Sequence, residues 1–378
     1  MLKIPFNRCV NAGNEIEYVS DVVSTGRFGT DGTYKKRCEE WLKQHFNAPD
    51  AVLAQSCTDA LEMAAMLADI GPGDEVIMPS FTFSSTANAF ALRGATLVFA
   101  DIDPKTLNLD PNEVEKAITD KTKVIVPVDY AGHPCDMAAL LSIAGRAKQN
   151  IMIVEDAAQA LMASENGRPV GVHADVATIS FHNTKNIACG EGGALIVNNE
   201  AYKKRSYILS EKGTNRKAFF LGEVDKYSWV DIGTSAVPSE MTAAYLLAQL
   251  EKADEITNAR RKAWTAYWQG FESLEKKGVL KRPYTGDKVY NNAHMFYLLM
   301  DSVETRNHLI RELRDRGISA PFHYIPLHSA PAGLRLGRAT GNMDVTDRVS
   351  STLIRMPMWN GVNDVASKVI DAVEDILR

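Results

Sequence analysis

The stretch IMIVEDAAQA, residues 151–160, opens on four apolar residues and runs through two acids into small residues. Four successive apolar residues leave no polar face, so this strand is covered on both sides, as in a parallel sheet sandwiched between helices. Runs of the same kind flank it. Ala51–Ala54, Glu75–Met78, Thr96–Ala100, Lys123–Val128, Ile151–Val154, Val176–Phe181 and Gly193–Val197 read as strands. Between them Tyr34–Phe46, Thr58–Ile70, Ser84–Arg93, Asn112–Ile118 and Asp136–Lys148 read as helices. This alternation predicts an α/β fold built on a large, seven-stranded, mostly parallel sheet with helices on both faces.

Past Asn198 the pattern changes. Residues 199–213 read as a helix, and a long helical stretch follows from Ser239 to Glu275, in which Ala243, Ala244, Leu247, Leu250 and Ala253 share one face. A strand at His294–Met300, a helix at Arg306–Arg316 and two helices near the end predict a smaller α+β unit. The division expected is residues 1–238 as the large domain with an N-terminal arm, and 239–378 as linking helix plus small domain.

The 378 residues carry a net charge of -5, with 45% hydrophobic and 24% charged residues. These are ordinary globular values. With no basic block or stripe, nucleic acid is not an expected partner. The five cysteines, Cys9, Cys38, Cys57, Cys135 and Cys189, are scattered without a CxxC pair. Neither a disulfide framework nor a metal site is expected, and reduced thiols point to the cytoplasm. MLKIPFNRCVNAGNEIEY lacks the apolar run of a signal peptide, and no stretch reaches the ~18 apolar residues of a membrane span.

Four places could carry chemistry. In IMIVEDAAQA, Asp156 stands beyond the carboxyl end of a parallel strand, where such sheets bind ligands. A carboxylate buried there needs a cation, and a protonated ring nitrogen is one; an ordinary helix N-cap is the equally weighted alternative. In ISFHNTKNIACGEGGALIV, residues 179–197, Lys185 follows Ser180 and precedes a glycine-rich turn. A desolvated lysine is a nucleophile toward aldehydes, although most loop lysines are merely solvated. In AQSCTDALEMAAML, residues 54–67, a strand gives way to a helix at Ser56, Cys57 and Thr58. Free N–H groups at a helix start bind phosphate, and simple capping is the commoner role. In MPSFTFSSTANAF, residues 78–90, Phe81 or Phe83 could stack on a planar cofactor or pack in the core. The order is more telling than any element: anion site, aromatic, strand-end Asp, then Lys. It describes a pocket for pyridoxal 5′-phosphate (PLP) on a parallel sheet.

GTDGT, SCTDALEMA, PGDEVIMPSFTF, VIVPVDYAGHPCDM, IVEDAAQA, SFHNTKN, GEGGALIV and HYIPLH occur in this order along nearly the whole chain. Together they resemble the nucleotide-sugar aminotransferases among the fold-type I PLP-dependent transferases. EKGTNR (211–216), KYSWVDIGTS (226–235), NAHMFY (292–297) and FHYIPLH (322–328) are similar to members that aminate dTDP-4-keto-6-deoxyglucose at C4, with the galacto product favoured. The resemblance implies Lys185 as the Schiff-base lysine, Asp156 against the pyridine nitrogen, Gln159 near the ring hydroxyl and Phe83 stacked on the ring. It implies Cys57, Thr58 and Ser180 at the phosphate. Ser235 stands where the family often has Asn reaching the phosphate from a neighbouring subunit. His323, Tyr324 and His328 are implied near the substrate, and Arg216 at the sugar diphosphate, with a surface arginine as the alternative. It further implies L-glutamate as donor, pyridoxamine 5′-phosphate between the half-reactions, a homodimer with shared active sites and a place in bacterial surface-glycan synthesis.

Related dehydratases carry His in place of the lysine; here Lys185 holds that position and His182 lies three residues earlier. Amination at C3, or a gluco epimer at C4, is the nearest rival reading. A PLP-binding regulator without turnover is a rival of another class. A nicotinamide-dependent sugar oxidoreductase would need a glycine fingerprint after its first strand, and none occurs.

Overall fold

The computed structural model describes residues 4–378, the side chains of 363 and 364 excepted. The first three residues of the expected N-terminal arm lie outside the described part. All seven expected strands form within a few residues of their predicted bounds: β1 Asp50–Ala54, β2 Glu75–Pro79, β3 Thr96–Ala100, β4 Thr122–Ile125, β5 Met152–Asp156, β6 Val176–Ser180 and β7 Gly193–Val197. An eighth, β8 Gly337–Ala339, joins parallel to β3. The sheet therefore has eight strands in the order β1-β7-β6-β5-β4-β2-β3-β8, and β7 runs antiparallel to both its neighbours. β8 has three largely solvent-facing residues and no apolar run, so periodicity carries no trace of it.

Side chains alternate between the sheet faces. Helices α1 (Glu15–Thr25) and α2 (Thr33–Phe46) precede β1, and Val52 and Ala54 pack on one side of the sheet with α3 (Cys57–Leu67) and α4 (Ser84–Ala91). Ala51 and Leu53 pack on the other with Leu42 and Phe46 of Thr33–Phe46 and with Ala243 and Leu247. Both faces are thus dry, which is why the strands read as unbroken apolar runs. The expected long helix is three, Glu240–Leu250, Ala253–Gly270 and Glu272–Lys276, because Lys252 and Phe271 leave helical geometry. Glu240 accepts from the N–H groups of Tyr34 and Lys35 at 2.9 Å each, so its carboxylate caps the helix that begins at Thr33. A Cβ on Gly32 would overlap that carboxylate, which accounts for the second glycine of GTDGT.

Further along, Leu280–Lys281, Tyr297–Met300 and Leu353–Arg355 make a small antiparallel sheet with its own core of Phe296, Leu298, Ile354 and Val369. Ile4 packs in that core, and Met358 N–H donates to Phe6 O at 3.0 Å. Ile4 at the start of the arm thus joins the second core, whereas Ala12, Tyr18 and Val22 pack with the first. No helix among the described residues is long and apolar enough to cross a membrane.

Candidate active site

The carboxyl ends of β5 and β6, the start of α3 and the end of Leu353–Arg355 converge on one cavity of about 590 Å³. Its wall includes Cys57, Thr58, Phe83, Asp156, Gln159, Ser180, Lys185, His323 and Tyr324, nine residues singled out from sequence. Lys185 sits on a turn after β6, its N–H donating to His182 O at 2.8 Å. Its side chain is half-buried in the cavity wall, and the resulting desolvation lowers its pKa against the opposing pull of Cys57 and Asp156. A lysine of lowered basicity is more readily present as the free amine, the form that attacks a carbonyl.

Asp156 is buried at the end of β5. Its Oδ2 accepts from Thr86 Oγ1 at 2.7 Å and its Oδ1 from Ala158 N–H at 3.2 Å. Thr86 is anchored in turn by Thr82, the two hydroxyls lying 2.9 Å apart. Burial nevertheless raises the Asp156 pKa, and among the described residues it makes no ion pair. Of the two roles open to it, the helix cap is absent: residues 157–163 form turns, not a helix. A carboxylate so placed is complete only with a cation from a ligand.

At α3 the N-cap is Ser56, whose Oγ accepts from Asp59 N–H at 3.1 Å. The N–H groups of Cys57 and Thr58, in the first turn, are left free by helix geometry and border the cavity. β7 begins at Gly193 directly beneath them. A Cβ there would overlap Ser56 C and Cys57 N, so only glycine lets the antiparallel strand pass under the anion site. The GEGG run thus makes room for a phosphate site rather than forming one.

Gln159 is fixed at both ends: Oε1 accepts from Ala131 N–H at 2.7 Å and Nε2 donates to Tyr324 Oη at 3.0 Å. Phe83, 60% exposed, leaves a ring face available at the cavity. His323 Nδ1 lies 3.1 Å from Tyr130 Oη. A half-buried, desolvated lysine, a carboxylate lacking its cation, a free helix start and an available aromatic face fit PLP.

Three expected residues lie elsewhere in the chain. His328 is bound through Nδ1 to Ser80 Oγ at 2.8 Å and faces Asp347 at 3.5 Å, tying its loop to the end of β2 instead of reaching the cavity. Arg216 pairs with Asp31 at 2.6 Å and lies outside the cavity wall. Ser235 is exposed and outside the wall of its own chain, its carbonyl accepting from Gln55 Nε2 at 2.6 Å. Conversely, Thr86, His294, Arg355 and the arm residues Phe6 and Asn7 were not expected in the wall. Thr86 lies within MPSFTFSSTANAF and His294 within NAHMFY, whereas Arg355, Phe6 and Asn7 come from distant segments with no local pattern.

The profile described as the DegT/DnrJ/EryC1/StrS aminotransferase family matches residues 10–374. The chain belongs to that family. The spore coat polysaccharide biosynthesis protein SpsC of Bacillus subtilis is 31% identical over 384 residues, spanning 99% of this chain and 97% of that protein. GDP-perosamine synthase of Caulobacter vibrioides is 30% identical, spanning 97% and 96%. DesV from S. venezuelae, solved with a ketimine intermediate, superposes with a TM-score of 0.87 at 32% identity, over 97% of this chain and 94% of that one. Spr1654 of Streptococcus pneumoniae in its PLP-form gives 0.88 at 28% identity, over 99% and 100%. This family member is a PLP-dependent sugar aminotransferase of fold type I, taking a sugar substrate and an amino donor.

Proposed function

We propose that the enzyme transfers the amino group of L-glutamate to C4 of dTDP-4-keto-6-deoxyglucose, giving dTDP-4-amino-4,6-dideoxygalactose. The observation that carries the reading is the pairing, in one cavity, of desolvated Lys185 with an Asp156 that lacks a cation. The choice of sugar is supported by EKGTNR, KYSWVDIGTS, NAHMFY and HYIPLH. A GDP-linked keto-sugar is the second reading, favoured by the likeness to GDP-perosamine synthase.

PLP, when bound, supplies the electron sink and carries the amino group between the two substrates. Lys185 Nζ would hold it covalently; once released, the same amine would move the α-proton of glutamate to the cofactor and, in the second half-reaction, take a proton back from the cofactor and deliver it to C4 of the sugar. Asp156 keeps a positive nitrogen at its carboxylate, and Thr86 prevents that carboxylate from turning away. The first turn of α3, with the Ser180 hydroxyl, holds the phosphate. Gln159, locked by Ala131 and Tyr324, presents its amide at the ring hydroxyl. His323 and Tyr324 border the sugar. Arg216 and Ser235, outside their own chain's cavity, act across a homodimer interface. Residues 1–238 and 239–378 are taken as the PLP-binding and small domains, with Glu240–Leu250 as the linking helix packed on the large sheet and the small sheet carrying a core of its own in support. Cytoplasmic surface-glycan synthesis is the setting proposed.

The test is proton NMR of the product formed from PLP, L-glutamate and dTDP-4-keto-6-deoxyglucose, with a GDP-linked keto-sugar in parallel. A product aminated at C4, with an H3–H4 coupling showing axial nitrogen, is expected. An unchanged dTDP-sugar sinks this assignment, and turnover of the GDP-sugar alone replaces it with the second reading.

A further inference from the structure

His294 has no assigned part, yet its surroundings fix its chemistry. The segment around it is held firmly. Arg260 donates to Ala293 O at 3.1 Å and to His294 O at 2.7 Å, and His294 N–H donates to Asn292 Oδ1 at 3.0 Å. The ring lies 9% exposed in the cavity wall. Its Nδ1 is 3.1 Å from Asn186 Oδ1.

The tautomer follows by elimination. Asn186 Nδ2 donates to the carbonyl of Asn292 at 2.7 Å. A carbonyl only accepts, so the Asn186 amide cannot be reversed and its Oδ1 faces the imidazole. That oxygen needs a donor, so His294 Nδ1 carries the hydrogen. Burial, and then the charges of Lys185, Arg260 and Arg355, hold the His294 pKa well below its ordinary value, so the ring is neutral. Nε2, on the ring edge away from Asn186, is left as a bare acceptor on a residue of the cavity wall. The same cations disfavour an ammonium at this nitrogen, leaving a neutral donor such as a hydroxyl as its complement.

We infer that His294 Nε2 is a fixed hydrogen-bond acceptor for a hydroxyl of the keto-sugar, held in one tautomer by Asn186. The inference rests on the keto-sugar reading. It makes His294 a specificity residue for the second half-reaction, with Asn186 as its positioning residue.

The test uses the PLP-loaded enzyme and follows each half-reaction separately in single-turnover absorbance. His294→Phe should leave the glutamate half-reaction within about twofold and lower kcat/KM for the sugar half-reaction about 3- to 10-fold, the value of one neutral hydrogen bond. His294→Gln, which restores an acceptor, should recover part of that loss. With keto-sugars deoxygenated at C2 or at C3, one analogue should show no difference between wild type and His294→Phe. Equal losses on the parent sugar and on both analogues overturn the inference. So does an equal fall of both half-reactions, or a shifted spectrum of bound cofactor in His294→Phe. Nitrogen-15 NMR should show hydrogen on Nδ1 and none on Nε2; the reverse tautomer overturns the inference whatever the sugar. If wild type converts no keto-sugar, the substrate reading fails and the sugar-hydroxyl contact falls with it; conversion of the keto-sugar with the reverse tautomer or an unaffected His294→Phe overturns the inference alone.

Discussion

Replacing Asp156 by asparagine should move the stability of the cofactor-free protein and its chemistry in opposite directions. The side chains are nearly equal in size, so packing at the end of β5 is preserved. One oxygen still accepts from Thr86 Oγ1, now 2.7 Å away, while the new NH₂ faces the Ala158 N–H that donated at 3.2 Å. That lost hydrogen bond costs about 0.5–1.5 kcal/mol. Against it stands the desolvation of an ionised carboxylate, several kcal/mol before its two donors are counted. Burial outweighs those donors, since the Asp156 pKa is raised. The net relief is on the order of 1–2 kcal/mol. A raised folded pKa means that the folded protein holds the proton more tightly than the unfolded chain. Wild-type apoprotein therefore loses stability as pH rises from the ordinary carboxylate range through the raised folded value, and the variant lacks this loss. At pH 7.5 the variant apoprotein should unfold later, by roughly 1–3 °C for a chain of this size. Loaded with PLP, it should run the glutamate half-reaction about 10²–10³-fold more slowly, as when one charge-stabilising group is removed from a site. Thermal unfolding of both apoproteins and stopped-flow absorbance of both holoenzymes measure the two effects. An apo variant less stable than wild type at pH 7.5, or one with an unimpaired half-reaction, would refute the reasoning.

Gly193→Ala should cost about 1–3 kcal/mol by overpacking backbone against backbone at Ser56 and Cys57, and should weaken PLP binding more than tenfold in a fluorescence titration; wild-type affinity would contradict the role given to the glycine. Thr86→Val removes the hydroxyl that donates to Asp156. A hydrogen bond to a charged group is worth about 1.5–3 kcal/mol, so the glutamate half-reaction should slow tenfold or more with the fold intact by circular dichroism, and an unchanged rate would show that Asp156 needs no orienting. Asp129 and Glu155 are buried together, each with one carboxyl oxygen lacking a partner, and burial raises the pKa of both, so they share a proton. Stability from this pair is present while it keeps that proton and is lost as pH rises through the raised folded values. Asp129→Asn should therefore flatten the fall of the urea midpoint between pH 6 and 9, and a slope equal to wild type would remove the shared proton.

The large sheet was legible because both of its faces are dry: strands such as Ile151–Val154 and Gly193–Val197 are apolar without interruption, as a short strand sandwiched between two helical layers must be. β8 was not, because its pairing to β3 rests on backbone hydrogen bonds from residues that face solvent. The direction of β7 was also hidden, since an antiparallel strand buried on both faces has the composition of a parallel one. At the site, Asp156 and Lys185 were placed by position relative to strand ends, a local signal. His294 and Arg355 were not, because tertiary packing alone brings Asn292–Met295 and Leu353–Arg355 to the cavity. His328 is a polar residue of a functional-looking segment whose ring ties a loop to Ser80, a tertiary contact that no local pattern reveals. Ser56 is the N-cap of α3, leaving Cys57 and Thr58 with free N–H groups.

Every step of the proposed chemistry depends on Lys185 as the residue that would carry the cofactor. Borohydride reduction of the PLP-loaded enzyme, followed by peptide mass spectrometry, tests this directly. The reduced pyridoxyl phosphate should be found on Lys185 alone, and Lys185→Ala should take up none. Label on another lysine, or equal labelling of the Ala variant, would contradict that assignment.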